Sequence, residues 1–228
     1  MESEVCNFVT ADTVRTLTID GVDNTRDIGG YDALGEKTMK YGMVYRAASL
    51  DDITEEGIYQ MRTVLGVKTD LDVRTPGEGT AGTVSPLGSD INYLNYDAPY
   101  YWNKVISSTY RDALIGEIRA FAGADNYPIV VHCSVGRDRT GTILFIIEGL
   151  CGMSKSDLFF EYEMSLLATI GGAVNTNVSG LMSDIEGVYN GIQAYAPNGT
   201  FAEACEKFLL ELGITQSEID SIRNNLTH

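Results

Sequence analysis

The segment Pro128-Ile129-Val130-Val131-His132-Cys133-Ser134-Val135-Gly136-Arg137-Asp138-Arg139-Thr140-Gly141 decides the reading of this chain. It opens with a short, continuously apolar, β-branched run, the pattern of a strand buried on both faces in a sheet flanked by helices. From Arg139 to Cys151 the apolar residues face every direction, so a helix over that span lies deep in the core. The small residues between strand and helix form a loop that feeds a helix N-terminus. The first backbone N–H groups of such a helix are unpaired and point at one spot, where the positive end of the helix dipole also favours an anion. A nest of this kind suits phosphate.

Cys133 stands at the mouth of that loop and Arg139 closes it six positions later. A thiol so placed has its pKa pulled below the free value of about 8.5, which yields a thiolate nucleophile near neutral pH. An arginine grips two phosphate oxygens at once and holds the spreading charge of a transition state better than a lysine point charge does. Ser134, Val135, Gly136, Arg137, Asp138 and Arg139 form the expected phosphate-binding set; Gly136 lets backbone approach the oxygens closely, and the Thr140 hydroxyl reaches back to the thiolate. The cysteine-to-arginine spacing alone is cheap, and a buried core cysteine beside a surface arginine would share it. The strand before it, the small residues within it and the apolar helix after it give it meaning.

Outward from this centre, Thr13 to Ile19, Met43 to Ala47, Val67 to Val73 and Ile91 to Tyr96 read as strands. Asp52-Ile53-Thr54-Glu55 reads as the start of a helix that Gly66 ends. Thr109 to Phe121 has helical spacing and stops at Gly123. Further helices are expected at about 154–169, 181–195 and 200–226, the last broken near Gly213 and restarted by the capping box Thr215-Gln216-Ser217-Glu218. Strands with interleaved helices followed by a helical C-terminal part argue for a three-layer α/β fold, with a central, mostly parallel sheet. The even composition, without repeats or a linker, makes residues 1–228 a single expected domain.

Composition narrows the partners. With 32 acidic against 16 basic residues, a net charge of −16, the whole-molecule field repels nucleic acid and anionic bilayers. An anionic substrate must therefore be captured by a local cationic pocket. No run approaches the roughly 20 apolar residues of a membrane span, and Met1-Glu2-Ser3-Glu4 lacks the basic start of a secretory signal. A cytoplasmic location is the expectation, with removal of a signal segment left open. Cys6, Cys133, Cys151 and Cys205 form no C-x-x-C pair, and His132 and His228 are the two histidines, so zinc ligation is poorly supported and free thiols are expected.

His132-Cys133-x5-Arg139-Thr140 resembles the signature loop of cysteine-dependent protein tyrosine phosphatases. Gly136-Arg137-Asp138-Arg139-Thr140-Gly141 is similar to the HCxxGKDRTG variant of the bacterial and fungal tyrosine phosphatase-like family. The likeness extends to Asn24-Thr25-Arg26-Asp27-Ile28-Gly29-Gly30-Tyr31, to Tyr45-Arg46-Ala47-Ala48-Ser49-Leu50, and to Leu65-Gly66-Val67 with Asp70-Leu71-Asp72-Val73-Arg74 and Glu78, within about residues 24 to 225. The resemblance implies a tyrosine phosphatase-like fold and a cofactor-free phosphatase. It would act on protein phosphotyrosine, with dual specificity or an inositol phosphate substrate as alternatives, through a phosphocysteine intermediate. Two positions depart from the pattern: Arg137 stands where the family often has lysine, which puts lipid phosphatase activity in doubt, and Thr25 replaces a larger apolar residue.

Ester cleavage needs a proton for the departing oxygen, and three carboxyls compete for that role. Asp97 lies on a loop after a strand, Asp138 lies inside the phosphate loop, and Asp72 follows a strand that neighbours Cys133 but can instead anchor the loop through Arg74. His132 is assigned to orienting the loop. Arg26, Arg46 and Arg74 either supply the cationic pocket or pair with nearby carboxylates. Gly77-Glu78-Gly79-Thr80-Ala81-Gly82 matches G-x-G-x-x-G, yet Pro86 and Gly88 follow where a dinucleotide site needs a helix. Tyr100-Tyr101-Trp102 reads as a packing cluster, or as a wall beside Asp97. A redox role would need a resolving thiol, and Cys151 lies about 18 Å along the helix from Arg139. A catalytically inactive phosphate-binding module is the rival outside enzymes. The sequons at Asn177, Asn198 and Asn225 carry no weight without secretion.

Overall fold

The computed structural model describes residues 15–168 and 178–228. Five short strands, β1 (Arg26–Asp27), β2 (Val44–Ala47), β3 (Thr69–Asp72), β4 (Asn92–Asn95) and β5 (Ile129–His132), form one sheet in the order β1-β2-β5-β3-β4. β1 is antiparallel to β2, and the other pairs are parallel. The apolar run at 129–132 is the central strand, as its lack of alternation predicts: Ile129 and Val131 enter the larger core, while Val130 enters a smaller one with Leu50, Met61 and Leu87. The sheet thus separates two apolar layers, and the expected mostly parallel three-layer α/β arrangement is present.

The helices are α1 (Glu55–Tyr59), α2 (Trp102–Val105), α3 (Arg111–Ala122), α4 (Asp138–Cys151), α5 (Lys155–Leu167), α6 (Val178–Gln193), α7 (Phe201–Leu212) and α8 (Gln216–Leu226). Thr54 caps α1 by accepting from the Gly57 amide, and wider turns over Gln60–Val64 extend it to Gly66. α4 is buried from Thr140 to Cys151, in keeping with its apolar residues on every face. The break near Gly213 and the Thr215–Glu218 capping box separate α7 from α8 as the sequence indicates. A second capping box, Thr200 with Glu203, starts α7 and was not read from the sequence.

The strand expected over Thr13–Ile19 does not form in its described part, where single bridges join Thr16 to Arg26 and Ile19 to Val22. Gly21 turns the chain back with φ +79°, and a Cβ there would lie 2.2 Å from the Asp52 carbonyl oxygen. The segment is held by this tight turn and not by a ladder. Residues 13 and 14, Cys6 and Asn177 lie outside the described residues.

The parallel strands all point their carboxyl ends one way, where α/β sheets bind ligands. Ala47, Asp72, Asn95 and His132 end the four of them, so Cys133, Arg74 and Asp97 follow at one rim. No described helix is long and apolar enough to cross a membrane. Ile146 on α4 is fully buried, so Ile146→Ala should destabilise the protein by roughly 2–5 kcal/mol in chemical denaturation, the cost of a cavity at such a position.

Candidate active site

The loop from Cys133 to Arg137 is held by its carbonyls. The Ser49 amide donates to the Ser134 carbonyl (3.2 Å). Asn24 Nδ2 donates to the carbonyls of Val135 (2.9 Å) and Gly136 (3.2 Å). Arg46 Nη2 donates to the Gly136 carbonyl (2.8 Å). With the carbonyls drawn outward, the amides turn inward, and those of Val135 and Thr140 reach the Cys133 sulfur. Gly136 adopts φ +66°, and a Cβ there would strike the Ala47 carbonyl at 2.3 Å. Only glycine lets the loop press this closely onto the end of β2.

Behind the loop lies a buried charge cluster. Glu161 on α5 accepts from Arg26 Nε (2.6 Å) and from Arg46 Nη1, and its backbone carbonyl accepts from Arg26 Nη2 (2.7 Å). Arg26 Nη1 donates to Asn24 Oδ1 (2.7 Å). Glu161 therefore controls the loop along two routes, through Arg46 directly and through Arg26 and Asn24. Burial by itself pushes the Glu161 carboxyl up, but Arg26 and Arg46 outweigh it and hold the group below its ordinary value. The neighbouring Glu148, fully buried, is pushed well above its ordinary value by burial and by Glu161. Arg26 and Arg46 thus pair with a carboxylate, and neither lines the cleft beside Arg139. Arg74 does the same, with Nε and Nη2 each 2.9 Å from Asp72 and Nη1 2.8 Å from Asp51. Asp72 is fully buried in that pair and serves as its anchor.

Cys133 is 1% exposed. Burial pushes its thiol up, but the Thr140 hydroxyl, the Thr140 amide and the Arg139 charge outweigh it, and the net direction is down. The Thr140 hydroxyl is buried and bonds to no other group, which leaves it facing the thiol whose pKa it lowers. Cys151 and Cys205 are also free and buried, and burial pushes Cys151 up to about 12. Neither is a ready thiolate. His132 Nε2 lies 2.9 Å from Asp70 Oδ1, both fully buried. Burial drives the imidazole down, but Asp70 reverses this and favours the imidazolium. That pair lies at the end of β5, directly before Cys133.

Arg139 meets Glu78 in a two-pronged pair, Nη1 to Oε1 (2.7 Å) and Nη2 to Oε2 (2.8 Å), while Ser134 Oγ donates to Glu78 (3.0 Å) and accepts from Arg139 (3.0 Å). Arg139 holds the Glu78 carboxyl down at about 2. The segment that matches G-x-G-x-x-G runs through turns with no helix after it, and its contribution is this carboxylate. A cleft of about 300 Å³ opens here, lined by Thr75, Glu78, Asp97, Tyr100, Lys104, Tyr110, Asp138 and Arg139 among others. Cys133 lies off its lining, at the base of the loop. A larger cleft, about 620 Å³ between residues 16–26 and 164–168, contains neither Cys133 nor Arg139.

The two acidic candidates on the cleft differ in what holds them. Asp138 Oδ1 accepts from Tyr101 (2.5 Å) and Arg137 Nε (2.9 Å), and Oδ2 accepts from Arg137 Nη2 (3.0 Å). Both of its oxygens are engaged, and Arg137 is spent on it and not on the loop's interior. Asp97 accepts a single bond, from Thr75 Oγ1 (2.8 Å). Tyr101 also donates its amide to Thr142 Oγ1 (3.2 Å) at φ +61°, which pins the segment after Asp97 to the start of α4. Trp102 packs on Phe208 and Gly191. Thr25 is buried. Among the described residues no cluster of three or more metal-ligating side chains exists.

Comparison with known proteins follows this geometry. The model of the tyrosine phosphatase family matches residues 17–228, and the chain belongs to that family. A protein of Cupriavidus necator provisionally named a tyrosine-protein phosphatase is 23% identical over 168 residues, covering 64% of this chain and 61% of its own length. Among solved structures, the core catalytic domain of the PP-IP phosphatase Siw14 from S. cerevisiae, in complex with citrate, matches with a TM-score of 0.42 and 17% identity over 61% of this chain and 79% of that one. A second structure of the Siw14 catalytic core gives a TM-score of 0.39 and 20% identity, over 54% and 70%.

Glu161 and Asn24 were not assigned roles from the sequence. Glu161 stands on the face of α5 that buries Leu158, Tyr162 and Ser165, and a lone acid on an apolar face is the signal that could have marked it. Removing one partner of a buried ion pair costs roughly 3–5 kcal/mol. Glu161→Gln, which leaves Arg26 and Arg46 with an uncharged partner, should lower stability by an amount of that order in urea denaturation and weaken phosphate binding in parallel.

Proposed function

We propose that this chain is a metal-independent, cysteine-dependent phosphatase that hydrolyses phosphate monoesters, with protein phosphotyrosine as its substrate. The observation that carries the reading is the lowered Cys133 thiol at the base of a loop whose carbonyls are bonded outward, with Arg139 closing it. Membership of the tyrosine phosphatase family supports it.

In the first step the Cys133 thiolate attacks phosphorus in line, the phosphorus–oxygen ester bond breaks, and Arg139 with the loop amides holds the equatorial oxygens. Glu78 fixes the plane of the Arg139 guanidinium beside Cys133. Asp97 is the proton donor to the leaving oxygen: it lines the cleft beside Arg139 and has one light partner, whereas Asp138 is saturated by Arg137 and Tyr101. In the second step the Asp97 carboxylate takes a proton from water, which attacks the phosphocysteine and releases inorganic phosphate. Asp138 holds the segment that carries Asp97 in register with the loop.

Hydrolysis of p-nitrophenyl phosphate and of a phosphotyrosine peptide, with EDTA present, tests this directly. Activity should resist EDTA and vanish in Cys133→Ser; activity that survives the substitution would overturn the reading. A parallel assay on soluble inositol phosphates identifies the substrate class.

Asp97→Asn should reduce kcat on the phosphotyrosine peptide by roughly a hundredfold or more and by less on p-nitrophenyl phosphate, whose leaving group needs less help. An equal loss on both substrates would argue against Asp97. The Thr140 hydroxyl lowers the thiol, so Thr140→Val should raise its pKa. The acidic limb of the pH profile of kcat/KM, which reports thiolate formation, should then move to higher pH.

A further inference from the structure

Half of the 16 cations of this acidic chain sit in ion pairs among the described residues. Arg26, Arg46, Arg62, Arg74, Arg119, Arg137, Arg139 and Arg223 each pair with a carboxylate. Within the cleft, Arg139 answers Glu78, and Asp138 is answered from beside it by Arg137. Lys104 is the cation left over. It lines the same cleft, half-buried, and no carboxylate of the described residues lies within ion-pair distance of it. Its Nζ sits 3.5 Å from the centre of the Tyr100 ring and 5.9 Å from that of Tyr110. A ring face attracts an ammonium but accepts none of its charge, so the N–H groups turned away from Tyr100 still seek an anion.

The same contact governs what the cleft can hold. Tyr100 would be the obvious platform for an aromatic leaving group, but Lys104 already covers one face of its ring. A ligand entering beside Arg139 meets an ammonium there and not an open ring. Lys104 shares with Asp97 and Arg139 a space of about 300 Å³, the lower end of the range for small-ligand sites.

We propose that Lys104, seated on Tyr100, is the head of a second anion subsite, and that the preferred ester carries another anionic group, carboxylate or phosphate, on its leaving group. The proposal rests on the phosphatase reading for the placement of the first phosphate. It goes beyond that reading by assigning the recognition of the leaving group to a residue outside the signature loop. It also bears on the problem set by the net charge of −16: a multiply anionic substrate is met by a local cation that no carboxylate of the described residues holds in an ion pair.

Calorimetric titration of the Cys133→Ser protein tests this without requiring turnover. The probes are phenyl phosphate, its 3- and 4-carboxy derivatives, and 1,3-phenylene bisphosphate. At least one doubly functional ester should bind about five- to tenfold more tightly than phenyl phosphate, a gain of the size expected for one partly screened charge pair. That advantage should disappear when Lys104→Met is added and persist with Lys104→Arg, and the ratio between probes removes any general loss of affinity. Stronger gain from carboxylate points to an acidic side chain flanking a phosphorylated residue, and stronger gain from the bisphosphate to a small polyphosphorylated molecule. An advantage that is absent, or unchanged by Lys104→Met, overturns the proposal, as does failure of every probe to bind. Separately, wild-type protein that binds with this preference yet hydrolyses none of the esters would leave the subsite standing and remove the phosphatase reading.

Discussion

A single buried carboxylate organises this molecule. Glu161 sits between Arg26 and Arg46 with all three side chains nearly inaccessible to water. Charges taken that far from solvent are tolerated only when every partner is in place. Beyond Glu161, Arg26 donates to Asn24 and Ser165 and Arg46 to the Gly136 carbonyl, while Arg46 Nε is buried without a partner. The requirement that buried charge be satisfied thereby becomes a requirement on the shape of the loop. Carbonyls held outward leave amides facing inward, and the anion site follows from that orientation.

The sheet supplies the second constraint. β5 is central and buried on both faces, so its carboxyl end cannot shift without disturbing both apolar layers. Its last residue, His132, is buried against Asp70. α4 leaves the loop directly into the larger core. Cys133 is thus clamped between two rigid elements, and the adjustable parts of the site are those above it: Glu78 on its turn, and the segment from Asp97 to Lys104, tied down at Tyr101.

Legibility from sequence divides along the same line. The Cys133–Arg139 loop, the central strand and α4 could be read because their chemistry and periodicity are local. The pairing of Arg26 with Glu161 spans 135 positions, and nothing local to either residue announces it; only the resemblance of the Asn24–Tyr31 stretch drew attention to one end. Asp138 and Asp97 could not be separated by sequence, because Tyr101, which helps engage Asp138, arrives from 37 positions upstream. Glu78 stands in the family-like stretch and in the glycine pattern without a role of its own, because its partner Arg139 becomes a neighbour only in the folded chain. The strand expected over Thr13–Ile19 failed because the turn at Gly21 is set by contact with Asp52, a packing demand that alternation does not encode.

The central claim is that the Cys133 sulfur bonds to phosphorus during turnover. Rapid acid quenching of the protein during hydrolysis of p-nitrophenyl phosphate, followed by mass spectrometry of the peptide that spans the loop, tests it most directly. The account predicts one added phosphoryl group on Cys133, formed on the timescale of a single turnover and absent in Cys133→Ser. Steady hydrolysis with no such adduct, or an adduct on another residue, would contradict it.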